Sequence, residues 1–333
     1  MAVRVLAAVD KFRGTATARE VARAIGHACW DLGHECTELP IADGGEGTLD
    51  VLGGPNRTTR VTDPLGRPVD AQWRLFRDLA VIEMARASGL TLVGGAAKND
   101  VINASTIGTG QLIDTALNDG AKRIIVCVGG SATVDGGLGA VQAIGSPARL
   151  KGVEFVVACD VRTLFCDAAR LFGAQKGASP AQIDFLTSRL EGLAVKYRDQ
   201  HGADVSQIPG SGAAGGLAGG LAAIGATLVA GFDVVADEVS LHDLVAEHDV
   251  ILTGEGFMDS ESFDGKVVGG VRDIARKAGK PIVAICGGAQ QSVRQEIDAV
   301  VLVDEYGERE AFDQTLTSIE RATHRALEIA TKR

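Results

Sequence analysis

The chain has 333 residues, 46% hydrophobic and 23% charged, with a net charge of −10 and a pI near 5.1. Length and composition suit a soluble enzyme of two domains, each with its own core, and exclude a disordered chain. The acidic balance argues against a nucleic-acid partner, which needs a basic surface, so any anionic substrate must be met by a few local cations.

Glycine is the outlier, with 43 residues clustered at the ends of apolar runs, where they read as turns and ligand loops. The six cysteines include no CxxC pair and sit mostly in apolar runs, as expected of reduced thiols in a cytoplasmic protein. The scattered histidines show no HExxH, so no zinc site is expected. The N-terminus shows no signal-peptide pattern. The uncharged stretch from Gly210 to Phe232 could reach across a membrane, but glycine and alanine dominate it, and a buried loop leading into a helix is expected instead.

In chain order, Val3 to Val9 predicts a strand, followed by a helix with Ala18, Val21, Ala22, Ile25, Ala28, Cys29 and Leu32 on one face. Thr17 and Glu20 have capping-box spacing at its start. A second strand ends at Ile41, and the loop ADGGEG (42–47) leads into a short helix near Thr48. Turn residues fill 55–68, and then Val69, Ala71, Trp73 and Leu75 alternate before the apolar run Leu79 to Met84, predicting an antiparallel hairpin. The βαβ rhythm gives way here to a mixed pattern. It returns at Val250 to Leu252, a strand ending in TGEG, and continues through strands at 281–286 and 299–303 to a final helix over 311–330. The expected architecture is a discontinuous parallel α/β domain, residues 1–57 and 248–333, with a mixed α/β domain, residues 58–247, inserted into it. Ligands of open parallel sheets bind beyond the carboxyl ends of the strands, which would gather Asp10, Asp43, Glu46, Glu255 and Gly287 on one rim.

Two glycine-acid loops carry the chemical signal: ADGGEG at 42–47 and GGSATVDGG at 129–137. Glycine lets a backbone turn sharply and expose its N–H groups, while acids bind metal or accept protons. Loops offering both suit a magnesium-bound phosphate, and two of them suggest a phosphoryl-transfer cleft. GxxxxGK[ST] does not occur, so the phosphate would not be held by a P-loop. DKFRG (10–14) places an acid and two cations at a strand end, suited to a carboxylate or a transferring phosphoryl group. TGEGFMDSES adds Glu255, Asp259 and Glu261; FGAQKGAS holds Lys176; PGSGAAGG (209–216) is a second anion nest in outline.

Taken in order, DKFRG, ADGGEGT, DPLGRPV, VIEMARASGL, IGTGQLI, GGSATVDGG, FGAQKGA, PGSGAAGGL and TGEGFMDSESFDGK resemble the bacterial type-1 glycerate kinase family over almost the whole chain. The resemblance implies a flavodoxin-like split domain and a second α/β domain, with ATP, Mg²⁺ and D-glycerate meeting in an interdomain cleft and 2-phosphoglycerate as the product. On that basis Asp43 is the first candidate to orient and deprotonate the attacking hydroxyl, and Asp135 the second. Arg13, with Asp10, Lys11 and Lys176, is expected on the substrate carboxylate or the transferring phosphoryl. Gly129, Gly130, Ser131 and Thr133, with Gly210, Ser211 and Gly212, would cradle the nucleotide phosphates; Glu46 and Asp259 are the candidate metal ligands. No nucleic acid or membrane partner is expected, and homo-oligomerisation is left open. The alternatives are a kinase for another small hydroxy acid and a non-catalytic sensor.

The chain departs from the family pattern in four places. Lys11 and Arg13 stand where the opening motif usually reads SFKG, and Val134 stands where Asn is common. Arg162, Thr163 and Leu164 replace the usual Asn-Pro after CDV. The stretch between Gly145 and Val153 is shorter than in the family.

Overall fold

The computed structural model describes residues 2–332. Its strands, in chain order, are β1 (Arg4–Val9), β2 (Glu35–Pro40), β3 (Arg57–Thr62), β4 (Pro68–Phe76), β5 (Leu79–Glu83), β6 (Arg123–Cys127), β7 (Glu154–Cys159), β8 (Thr227–Ala230), β9 (Val250–Met258), β10 (Ile282–Ala289) and β11 (Ala299–Val301). The chain divides into two compact units: unit 1 comprises Met1–Asp43 and Phe232–Arg333, and unit 2 comprises Gly44–Gly231.

Unit 1 holds a five-stranded sheet in the order β11-β10-β9-β1-β2, every pair of it parallel. Counted within the unit this is the 2-1-3-4-5 order of flavodoxin-like folds, whose switch point lies between β1 and β9. Alternate residues of β10 serve opposite cores: Val283 and Ile285 pack with Ile25, Ile319 and Leu327, while Ala284 and Cys286 pack with Met258 and Val268. Such two-sided burial is why these strands read as continuous apolar runs. The first helix, Ala18–Asp31, starts at the capping box its sequence announces: the Thr17 side chain accepts from the Glu20 N–H, and Glu20 reaches back to Thr17.

Unit 2 holds a six-stranded sheet, β3-β4-β5-β6-β7-β8. β4 and β5 form the antiparallel hairpin expected from the alternating run. β3 falls in the stretch read as turns and pairs antiparallel with β4, its Arg57–Thr62 finding partners across the sheet that local turn signals do not report. β5 to β8 are parallel. Trp73 is fully buried among Ile82, Leu112, Ile124 and Leu217, with its indole N–H on Thr59 Oγ1 at 2.9 Å. A long helix, Pro180–His201, is framed by a Ser179–Gln182 capping box and by Gly202 in the left-handed region; it covers a second core with Phe165, Leu186, Leu190 and Val134.

The units divide at 43/44 and 231/232, whereas the sequence pattern places the boundaries at 57/58 and 247/248. Residues 44–57 belong with unit 2 because the buried Glu83 carboxyl accepts the N–H groups of Gly47 and Leu49 and β3 pairs with β4. Residues 232–247 belong with unit 1 because Phe232 packs on Gly270 and His248 bonds Thr37 Oγ1 at 2.7 Å. Local hydrophobic rhythm cannot report such long-range ties. Two further expectations shift. β9 and β10 run on through their glycine-rich ends, past the points where the pattern stops them, because TGEG and CGG pair in register. The final helix is broken at Gln314 into Glu308–Asp313 and Thr315–Thr331. The stretch 210–232 forms a loop, a short helix and β8, and no helix among the described residues is long and apolar enough to cross a membrane.

Truncating Trp73 to Ala leaves a cavity at the meander and orphans Thr59. The variant should lose about 3–5 kcal/mol, read as a lower urea midpoint at unchanged slope. A loss below about 1 kcal/mol would show that this core collapses onto the site.

Candidate active site

Unit 1 brings acids together at its switch point. Asp10 follows β1 directly, its N–H bonded to Gly254 O at 2.9 Å, and Glu255 lies next along β9. Gly256 lets the DKFRG loop lie against β9, since a Cβ there would meet Phe12 Cα at 3.1 Å and Arg13 N at 3.0 Å. Arg13 is exposed, and Lys11 and Asp43 are half-buried.

Burial lifts the Asp10 carboxyl to about 6; Lys11 opposes this through its charge and its N–H, while Asp43 adds to it. Glu255 is raised to about 7, again chiefly by burial; the Ser262 hydroxyl and Lys266 oppose the shift, and Asp10 and Asp259 add to it. Glu255 Oε1 is buried without a partner. Asp259 Oδ1 accepts the N–H groups of Glu261 and Ser262 at 2.9 and 3.3 Å, which fixes the loop after β9.

Among the described residues no three His, Cys, Asp or Glu side chains gather as metal ligands. Magnesium, however, is commonly held by one or two carboxylates together with substrate phosphates. An unpartnered buried carboxyl oxygen amid mutually destabilising acids fits such a cation, which would relieve both the desolvation and the repulsion.

Unit 2 carries the hydroxyl-rich loops. GGSATVDGG follows β6 and is shaped largely by side chains that reach into it. Lys176, buried, donates from Nζ to Ser131 Oγ at 2.6 Å and to Thr133 O at 2.8 Å. Burial lowers its ammonium to about 7, partly offset by Asp135. Asp135 is spent on backbone: Oδ2 accepts from Thr106 N, Thr106 Oγ1 and Gly139 N, and Oδ1 from Gly137 N. Asn99 bridges the carbonyls of Ala132 and Lys176, and Arg189 holds those of Ile102 and Val134. Val134 itself is a core residue, its side chain buried beside Phe165 and Leu190. The hydroxyls of Thr133 and Ser211 are buried without partners.

The 209–216 loop packs onto this loop. Ala214, Gly215 and Gly216 are successively left-handed, and a Cβ on Gly215 would collide with Thr133 O. The N–H groups of Ser211 and Gly212 are taken by Ile208 and Thr163 carbonyls, while the Ser211 hydroxyl is left without a partner.

The loop ADGGEG is divided: Asp43 falls in unit 1, while Gly44 to Gly47 fall in unit 2. Within unit 2, a Cβ on Gly129 would stand 3.6 Å from Gly45 Cα, and one on Gly130 would stand 4.0 Å from Glu46 Oε2. Of the expected site residues, the structure therefore groups Asp10, Lys11, Arg13, Asp43 and Asp259 in unit 1. It groups Glu46, Gly129, Gly130, Ser131, Thr133, Asp135, Lys176, Gly210, Ser211 and Gly212 in unit 2. Glu83, Asn99, Thr106 and Arg189 gave no sequence signal as site residues, because each acts through backbone groups distant in the chain.

The raised acids carry a stability consequence. Folded Asp10 and Glu255 hold protons above their ordinary carboxyl range, so their contribution is full below about pH 4 and is lost as pH rises through about 6 and about 7. Glu255→Gln removes part of that cost. Its unfolding temperature should exceed the wild type's by roughly 2–4 °C at pH 8, and the gap should shrink towards pH 5. A gap that stays constant with pH would contradict the buried-acid account.

Comparison with known proteins places the chain in a family. The model of the glycerate kinase family matches residues 5–148 and 146–331; the two stretches meet in the short connection between Gly145 and Val153. The chain is 38% identical to a glycerate 2-kinase of Escherichia coli K12, covering 90% of each chain. It is 35% identical to a glycerate kinase of Bacillus subtilis 168, covering 90% of this chain and 87% of that one. A crystal structure of a candidate glycerate kinase 2 from Salmonella typhimurium LT2 superposes with a TM-score of 0.84 at 32% identity, covering 100% of this chain and 99% of that one. With its flavodoxin-order sheet, its paired glycine-acid loops and a family match along nearly its full length, the chain belongs to the glycerate kinase family.

Proposed function

We propose that this glycerate kinase transfers the γ-phosphoryl group of ATP to D-glycerate, with Mg²⁺, giving 2-phosphoglycerate and ADP. The observation that carries the reading is the division of chemistry between the units. Unit 1 offers buried, mutually repelling acids beside two cations, and unit 2 offers a loop rich in glycine and hydroxyls.

Arg13 and Lys11 meet the glycerate carboxylate, and Asp10 helps to orient it. Arg13 would do so as a planar fork rather than a point charge. Asp43 orients the acceptor hydroxyl and takes its proton as the oxygen attacks the γ-phosphorus. The bond from that phosphorus to the β-bridging oxygen breaks, and ADP departs with the electron pair. Asp135 has its oxygens committed to Thr106, Gly137 and Gly139; we assign it to shaping the phosphate loop. Lys176 is engaged with Ser131 and Thr133, and we assign it likewise. Gly129, Gly130, Ser131, Thr133 and Ser211 are proposed to face the nucleotide phosphates.

In unit 1, Asp259 remains an acid proposed for Mg²⁺, joined by Glu255 with its unpartnered oxygen; Glu46, in unit 2, remains a candidate ligand in its own right. Bound there, the ion would neutralise charge on the phosphates as it develops. Positioning and electrostatics would supply most of the acceleration, as phosphoryl transfer needs little covalent help. The six cysteines form no disulfide among the described residues, which suits a reducing compartment, and we place the enzyme in the cytoplasm.

ADP release from ATP and D-glycerate, with ³¹P NMR of the product, tests the reaction and the position phosphorylated. A folded wild-type chain that releases no ADP with glycerate, while turning over another hydroxy acid, would overturn the substrate assignment. Asp43→Asn should lower kcat by ~10²-fold or more if Asp43 is the base; near-wild-type turnover removes it from that role. Arg13→Ala should raise the KM for glycerate or lower kcat, and unchanged kinetics in both would sink its assignment.

A further inference from the structure

Glu83 ends β5 with its side chain buried at 2% exposure, on a strand whose parallel neighbour β6 leads into GGSATVDGG. Its Oε1 accepts both the Gly47 N–H and the Leu49 N–H, each at 2.8 Å. Oε2 accepts Arg86 Nε at 3.0 Å, and Arg86 in turn donates to Gln72 Oε1 at 3.1 Å. One carboxylate thus ties down the end of ADGGEG just after Glu46.

The residues that follow tie down the other loop. Met84 N–H bonds Cys127 O, Leu90 N–H bonds Gly130 O at 2.8 Å, and Ala132 N–H bonds Ser88 O at 3.0 Å. Ser88 Oγ is further locked to Thr109 Oγ1 at 2.7 Å. Between Glu83 and Leu90 one segment therefore grips both glycine-acid loops, which approach each other closely at Gly45 and Gly129. Neither loop could keep this spacing alone, because its glycines leave the backbone many conformations.

We propose that Glu83 is a positioning residue for phosphoryl transfer: through the Gly47 and Leu49 amides it sets where Glu46 stands relative to the 129–132 loop. The proposal rests on the kinase reading above. Arg86 keeps the buried carboxylate paired, so the pair acts as a brace. A misplacement of about 1 Å at a transferring phosphoryl group can cost 10²-fold in rate, and the brace is the evident means of preventing it here.

Glu83→Gln preserves shape but turns an amide N–H₂ either towards Arg86 or towards the two backbone donors. Amide exchange at Gly47 and Leu49 should quicken by about tenfold, and kcat should fall by about tenfold or more, with the KM for ATP changed by less than about threefold. In a double-mutant cycle with Glu46→Gln the kcat losses should be strongly sub-additive, since both variants impair the same group. Purely structural weakening would instead lower the unfolding temperature while leaving kcat per folded molecule intact, or would add fully to Glu46→Gln; either outcome overturns the proposal. If Glu83→Gln does not fold, Glu83→Asp decides: it keeps the charge but draws the oxygens back, and faster exchange at Gly47 and Leu49 with unchanged kcat refutes the brace. An inactive wild type would refute the kinase reading, whereas an active wild type matched by Glu83→Gln refutes this one alone.

Discussion

A carboxyl group taken out of water must be given hydrogen-bond donors or it will hold its proton, and the structure uses both outcomes. Glu83, Asp135 and Asp63 are satisfied: each accepts backbone N–H groups, and each thereby pins a loop that could not hold its own shape. Asp10 and Glu255 are not satisfied to the same degree, and burial lifts both. The first set is scaffolding. The second is the kind of arrangement from which a binding site for a cation or a proton is made.

The same division explains why unit 2 can afford so much glycine near a site that must be rigid. The backbone of 129–137 is constrained from outside by Lys176, Asn99 and Arg189, and by Thr106 through Asp135, and the 209–216 loop is pressed against it at Gly215. Glycine supplies close approach, and buried polar side chains remove the freedom that comes with it. Val134 belongs to this logic: its side chain anchors the loop into the apolar core while its carbonyl is held by Arg189. A hydrophobic residue in a polar motif serves there as a foot in the core.

Much of this was legible in the chain. Two-sided apolar runs predicted parallel strands, the Thr17–Glu20 spacing predicted a helix start, and alternation from Val69 to Leu75 predicted the hairpin of β4 and β5, though not β3 beside it. The loops that carry the chemistry announced themselves by glycine beside acid. Boundaries were harder. Residues 44–57 and 232–247 look, by local rhythm, as though they belong to the opposite unit, and only pairing with partners far along the chain assigns them. Asp135 and Lys176 look in sequence like reactive groups at a loop; their hydrogen bonds commit them to shaping it.

Local periodicity and residue chemistry determined the fold class and the loops, because those properties depend on neighbours within a few positions; the family came from the likeness of motifs spread in order along the chain. The tertiary structure decided which acid is satisfied and which is strained, since that depends on donors distant in the chain, 36 positions away in the case of Gly47 and Glu83. It also decided that ADGGEG is shared between two units and that a single segment after β5 grips both glycine-acid loops. A carboxylate's role is set by the dielectric and the donors around it, and neither is written in its own stretch of chain.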